Sequence, residues 1–341
     1  MNVVVDQPGA GAPASPDGGE MRPRVVVGID GSPVSREALV YALIAAARRG
    51  ADLDVVSSYA VQLYYLGGEP LAVPDISALR DDQQERARDQ LAEVQAEIPV
   101  SGVPGIHDVG VTLFVSQGPA AHALLERSEG ADLLVVGSRG RRAMRSVVLG
   151  SVALHCVTHA SCPVVVVHPA PVVRQPPRVV VGIDGSAGSR AALATAIDEA
   201  ARMGGEVEAV ATYVPADYWT DLSSIVVPSA EQIDEGLQQR TRQLVDEVLA
   251  ERAETEPTSA VPSIRGEVFQ GPAAEVLVDR AGSADLLVVG SRGRGAFRGL
   301  LLGSVALHCA MHAPCPVMVV HPQRSRSTVG AVRPQPVVAA R

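Results

Sequence analysis

Two stretches of this 341-residue chain carry residue types at a spacing suited to holding an anion. Gly137-Ser138-Arg139-Gly140 is followed, after nine residues, by Gly150-Ser151, and Gly290-Ser291-Arg292-Gly293 is followed, after nine residues, by Gly303-Ser304. Glycines without a Cβ let backbone amides turn toward a phosphate, and a helix beginning at the distal Gly-Ser adds unpaired N–H groups and the positive end of its dipole. The serine hydroxyl supplies a further donor. Each loop follows an apolar run, Asp132-Leu133-Leu134-Val135-Val136 or Asp285-Leu286-Leu287-Val288-Val289, that reads as a buried strand.

The charge carriers around these loops are arginines. Arg139, Arg141, Arg142 and Arg145 stand in or just after the first loop, and Arg292, Arg294 and Arg298 in or just after the second; Arg141 and Arg294 hold equivalent places. The chain has no lysine, which excludes a Walker A loop, a kinase-type lysine and Schiff-base chemistry. Bound phosphate would therefore rest on backbone amides and guanidinium groups. A net charge of −9 argues against nucleic acid as a partner, and no apolar run has the length needed to span a bilayer. The N-terminus lacks a basic segment leading into an apolar stretch, so a cytoplasmic location is expected.

A second cluster has ligand-type side chains: His155-Cys156-x2-His159-x2-Cys162 and His308-Cys309-x2-His312-x2-Cys315. Cys162 and Cys315 lead directly into Pro-Val strands, and Cys156 and Cys309 fall on the apolar side of a helix. All four read as small core hydrophobes, and no metal is expected on them.

The surrounding elements alternate. Arg24 to Ile29 is a β-branched run buried on both faces, Ser32 caps a helix with Pro33 at its first position, and Gly50 stops it. Leu53 to Ser58 is a second strand, followed by a loop carrying Tyr59, Tyr64 and Tyr65. A charged helix runs from about Ser77 to Ile98, Val109 to Val115 is the third strand, Ala120 to Glu129 a helix, and Val164 to Val167 the last strand. Arg178 to Ser186 then repeats Arg24 to Ser32, so the whole unit occurs twice. Residues 1–23 are expected to be a disordered leader, 24–169 and 178–322 two domains, 170–177 a proline-rich linker and 323–341 a disordered tail. Alternating strands and helices predict doubly wound α/β domains with parallel sheets. Should the last strand of each unit lie at a sheet edge, its apolar edge would invite pairing; Val164–Val167 and Val317–Val320 would then meet edge to edge, and the same surface logic allows a homodimer.

The pattern Gly-x2-Gly-x9-Gly-Ser, the opening Val27-Gly28-Ile29-Asp30-Gly31-Ser32 and the closing Cys162-Pro163-Val164, each present in both halves, resemble the nucleotide-binding branch of the universal stress protein family. The resemblance covers Arg24 to His168 and Arg178 to His321. It implies five-stranded Rossmann-like sheets of order 3-2-1-4-5, with the ligand crevice where the connections from strands 1 and 4 diverge. It also implies ATP, two per chain. Gly28 and Gly182, beside Asp30 and Asp184, would line the adenosine part, and the backbone near Val56 and Val210 would read the adenine edge. Gly137, Ser138, Arg139, Gly140, Arg141, Arg142 and Ala143 would wrap the phosphates and ribose, as would Gly290, Ser291, Arg292, Gly293, Arg294, Gly295 and Ala296. Gly150-Ser151 and Gly303-Ser304-Val305 would complete the grip. Asp30 and Asp184, facing a polyphosphate, would need a cation or a ribose hydroxyl, so Mg²⁺ is expected beside the nucleotide; a bond to nearby backbone amides is the alternative role. Trp219 and the Tyr64-Tyr65 pair, in the loops after the second strand of each unit, are candidates to cover the ligand, with ordinary packing, the commoner role of loop aromatics, as the alternative. The functional expectation is a nucleotide-binding module of stress response, with no catalytic residue assigned. A slow ATPase or phosphotransferase, and an interaction scaffold that has lost its ligand, are the alternatives.

Overall fold

The computed structural model describes residues 3–5, 22–61, 64–66, 69–72, 75–97, 103–140, 149–169, 175–214, 230–255, 260–294 and 301–322. The first half holds β1 (Val3–Val5), β2 (Arg24–Gly28), α1 (Pro33–Arg49), β3 (Asp52–Tyr59), a hairpin of β4 (Tyr64–Leu66) and β5 (Glu69–Ala72), and α2 (Ile76–Glu97). It continues with β6 (Val111–Gln117), α3 (Ala120–Arg127), β7 (Leu133–Gly137), α4 (Ser151–His159) and β8 (Val164–Val167). The second half repeats the plan: β9 (Arg178–Gly182), α5 (Ala187–Met203), β10 (Glu206–Tyr213), α6 (Ala230–Thr255), β11 (Ser263–Gln270), α7 (Ala273–Ala281), β12 (Leu286–Gly290), α8 (Ser304–His312) and β13 (Val317–Val320).

Local chemistry sets these elements. The Ser32 hydroxyl accepts from the Ser35 N–H at 3.2 Å and that of Ser186 from the Ser189 N–H at 3.1 Å, capping α1 and α5. Gly50 and Gly204, at φ 58° and 65°, end the same two helices in the left-handed conformation that glycine adopts without Cβ strain.

Within each half the order is the expected one, β6-β3-β2-β7-β8 and β11-β10-β9-β12-β13, parallel throughout. The halves are one sheet. β8 and β13 pair antiparallel, with Val165 opposite Met318, so the two exposed apolar edges close on each other about a pseudo-twofold axis. The strand edges from which a homodimer was expected are thus paired within the chain. Alternation along the valine runs feeds two cores: Val25 and Val27 face the layer of α1, α2, α5 and α6, while Val26 faces that of α3, α4, α7 and α8. Both cores run continuously from one half to the other.

Two details differ from the sequence reading. Residues 3–5, inside the segment expected to lack structure, form a strand parallel to β6. The stretch with Tyr64 and Tyr65, expected as a loop, contains the β4–β5 hairpin. Residues 323–341 lie outside the described residues.

Candidate functional site

At the C-terminal ends of β9 and β12, where the chain leaves neighbouring strands toward opposite faces, the second half encloses a cavity of about 420 Å³. That volume lies within the usual range for small-ligand sites, and a switch point between parallel strands is the usual place for one. Gly182, Asp184, Val210, Gly290, Arg292, Gly293, Arg294, Gly303, Ser304 and Val305, all expected from the sequence, line it.

Hydrogen bonds tie the glycine loop of this cavity at both of its limits. The Ser291 N–H donates to the Val320 carbonyl at 2.7 Å, holding the loop to the neighbouring strand, and the Gly303 N–H donates to the Ser291 carbonyl at 2.7 Å, setting the start of α8 against it. The first half repeats both contacts, Ser138 N–H to Val167 at 2.8 Å and Gly150 N–H to the Ser138 carbonyl at 2.9 Å. The N-cap of α8 is Gly303, and no side chain caps its first amides, which leaves them to a ligand. The hydroxyls of Ser138 and Ser291 are buried and have no partner among the described residues. A buried hydroxyl without a partner can donate to a ligand that enters the crevice.

Asp30 and Asp184 act on the backbone. Asp30 Oδ1 accepts from the Ser32 N–H at 3.0 Å. Asp184 Oδ1 accepts from the Ser186 N–H at 2.9 Å and its Oδ2 from the Arg294 N–H at 2.8 Å, so it joins the first turn of the domain to the glycine loop. Partial burial pushes the Asp184 carboxyl up; hydrogen bonds from the Ser186 hydroxyl and the Arg294 and Ser186 amides outweigh it and hold the group below its ordinary value. The carboxylate is therefore a fixed anion, not a proton carrier near neutral pH.

The loop glycines are needed for close approach. Neither Gly140 nor Gly293 adopts a left-handed backbone, so space and not conformation is what requires glycine there. A Cβ at Gly140 would stand 2.5 Å from Asp30 Oδ2, and one at Gly293 would stand 2.5 Å from Asp184 Oδ2. Gly28 and Gly182 leave room in the same way for Leu124 and Leu277, whose methyls would lie 2.9 and 2.8 Å from an added Cβ. The carbonyls of Val56 and Val210, where the backbone was expected to read an adenine edge, already accept from the N–H of Ile29 at 3.0 Å and of Ile183 at 2.9 Å. Thr212, two residues on and lining the cavity, brings a further polar side chain to this wall.

The sequence reading missed Ile183, Ser189, Thr212, Ala273, Leu277, Val289 and Ala306. Strand alternation was the available signal for Thr212 beyond Val210; Leu277 had none, since α7 reaches the cavity only through packing. Arg294 lies over the Asp184-Gly185 turn, its Nη2 2.5 Å from where a Gly185 Cβ would stand. Arg141, Arg142, Ala143, Arg145, Gly295, Ala296, Arg298 and Trp219 lie outside the described residues.

Cys156, Cys162, Cys309 and Cys315 are buried, and burial pushes their thiols up, Cys162 to about 11 and the others to about 12. Such thiols are neither nucleophiles nor ready ligands. The histidines of those motifs turn to the other side of their helices, His155 stacked on His159 with ring centroids 4.3 Å apart. No three His, Cys, Asp or Glu side chains converge on a metal position among the described residues. Among the same residues no helix is long and apolar enough to cross a membrane.

Fold and site together define a class: two Rossmann-like units in tandem, each with a glycine loop and an uncapped helix start at its switch point. The description of the Universal stress protein family matches the chain twice, over residues 21–168 and 177–321. The chain is 34% identical over 304 residues to a universal stress protein of Mycolicibacterium smegmatis, covering 88% of this chain and 97% of that one. It is also 34% identical over 298 residues to one of Mycobacterium tuberculosis, covering 86% and 96%. Among solved structures it resembles a universal stress protein from Archaeoglobus fulgidus with a TM-score of 0.57 at 21% identity, covering 87% of this chain and 96% of that one, a likeness of fold. This chain belongs to the universal stress protein family, as a tandem of two of its domains.

Proposed function

We propose that the chain is a regulatory nucleotide binder holding two ATP molecules, one per half. The observation that carries this reading is the cavity of about 420 Å³, apolar between Val210 and Leu277 and ended by the N–H groups of Ser304 and Val305 in the first turn of α8. A flat base fits the apolar end, and phosphates fit the amides, the unpartnered Ser291 hydroxyl and the arginines of the loop. Mg²⁺ would sit on the phosphates, with the Asp184 carboxylate, already anionic, on its loop side.

The same geometry supports binding without turnover. Among the described residues Asp184 is the carboxylate that lines the cavity, and the Ser186 and Arg294 amides fix it against the loop, so it does not swing to orient a water for attack. Phosphoryl transfer depends on that orientation, and tight binding of ground-state ATP alone does not lower a barrier. ATP occupancy then acts as a signal in the cell's response to stress. The test is a denatured extract of the purified protein analysed for released adenine nucleotide, followed by calorimetric titration of the stripped chain. Two ATP per chain is the expected count; no released nucleotide and no binding would refute the reading, and turnover above about one per second would make the chain an ATPase.

A further inference from the structure

Each half ends its last strand in a histidine whose hydrogen bond lies in the other half. His168 follows Val167, the residue whose carbonyl holds the Ser138 N–H of the first loop; its Nε2–H donates to the carbonyl of Ala310 on α8 at 3.1 Å. His321 follows Val320, which holds the Ser291 N–H of the second loop, and its Nε2–H donates to the carbonyl of Val157 on α4 at 3.0 Å. α8 begins at the second anion site and α4 at the first. The contacts close a circuit: first loop, His168, α8, second loop, His321, α4, first loop.

A packing role alone does not account for imidazole here. Because a carbonyl can only accept, both rings carry their proton on Nε2, and the buried Nδ1 of each has no partner among the described residues. An unpaired buried nitrogen costs stability that an apolar ring would not. What the imidazole adds is one N–H aimed across the pseudo-twofold axis, onto a helix whose other end receives the ligand.

We propose that His168 and His321 are positioning residues that couple the two nucleotide sites, each fixing its own glycine loop to the anion-binding helix of the opposite half. The inference rests on the nucleotide reading above. A helix moves as a rigid rod, so a shift of α8 on filling the second site displaces the Ala310 carbonyl and, through His168, the Ser138 loop. Filling one site thereby changes the affinity of the other by about five-fold or more, the usual size of such coupling.

The affinity of the second-half site for ATP is measured in the intact chain with its first site filled and in a chain whose first site is closed by Gly140→Val. The two values are expected to differ about five-fold or more, to converge in His168→Phe, which keeps the ring volume and removes the N–H, and to separate again in His168→Gln, which keeps a donor. In the Gly140→Val chain, ATP entering the second site is also expected to shift the imidazole NMR signals of His168, a readout that needs no further substitution and remains decisive if His168→Phe does not fold. Two nucleotides bound with equal second-site affinity in both chains, or His168 signals that stay in place, overturn the coupling and leave the nucleotide reading intact. Failure of the unsubstituted chain to bind ATP overturns both.

Discussion

Gly293→Ala tests the site where its glycine loop meets the Asp184 carboxylate. The added methyl would stand 2.5 Å from Asp184 Oδ2, well inside contact distance, and the carboxylate must swing away. Turning it breaks the bond from the Arg294 N–H at 2.8 Å, which fastens the glycine loop to the first turn. A hydrogen bond to a charged group contributes about 1.5–3 kcal/mol, and at about 1.4 kcal/mol per decade its loss lowers ATP affinity at this site roughly ten- to hundredfold. Calorimetry should show one of two sites weakened by that amount, with the first half unaffected. Gly140→Ala, facing Asp30 Oδ2 at the same 2.5 Å, should do the reverse. A double-mutant cycle with Asp184→Ala isolates the cause: once the carboxylate is gone, Gly293→Ala should cost little more. Unchanged affinity in Gly293→Ala refutes the site, and fully additive losses in the cycle refute the contact as the reason.

Gly188, where the first half has Val34, packs on the Arg292 carbonyl so closely that a Cβ would collide with backbone; Gly188→Val should therefore cost about 1–3 kcal/mol as overpacking and weaken the second site alone, read by thermal unfolding and calorimetry. Arg49 and Glu199 form an ion pair across the two halves, each side chain under a tenth exposed, while the symmetry-equivalent positions hold Met203 and Ala45. Glu199→Ala should destabilise by about 3–5 kcal/mol by leaving a buried guanidinium short of its partner, and Arg49→Met in the same chain should recover much of it in urea unfolding. Burial pushes the imidazoles of His168 and His321 below their ordinary value of 6.5, a shift the carbonyls of Ala310 and Val157 only partly offset. As pH falls below about 6.5 the unfolded chain takes up these protons first, so stability is full above that pH and declines below it by up to about 1.4 kcal/mol per unit per histidine. Urea unfolding at several pH values between 7.5 and 5 should show this slope, reduced in the His168→Gln, His321→Gln double variant; an equal slope in both would refute it.

What the sequence determined by itself is whatever depends on neighbours along the chain. Valine runs at buried strands, Ser32 and Ser186 at helix starts, Gly50 and Gly204 at helix ends, and the paired loops ahead of Gly150 and Gly303 are each specified within a dozen residues, where propensity, capping and backbone geometry act. The repeat then extended one domain to two, and the apolar last strands announced that their edges would be covered. Tertiary structure decided whatever joins distant parts. Asp184 reaches the amide of Arg294 across 110 residues, which makes it a tie between loops, and no local pattern marks that. Leu277 enters the cavity because α7 crosses Gly182, a matter of packing on the sheet face. His168 and Ala310 are 142 residues apart, His321 and Val157 164. Their meeting follows from the antiparallel pairing of β8 with β13, which brings the end of each half's last strand beside the other half's last helix; it is a property of how the halves close, and no spacing within either half contains it.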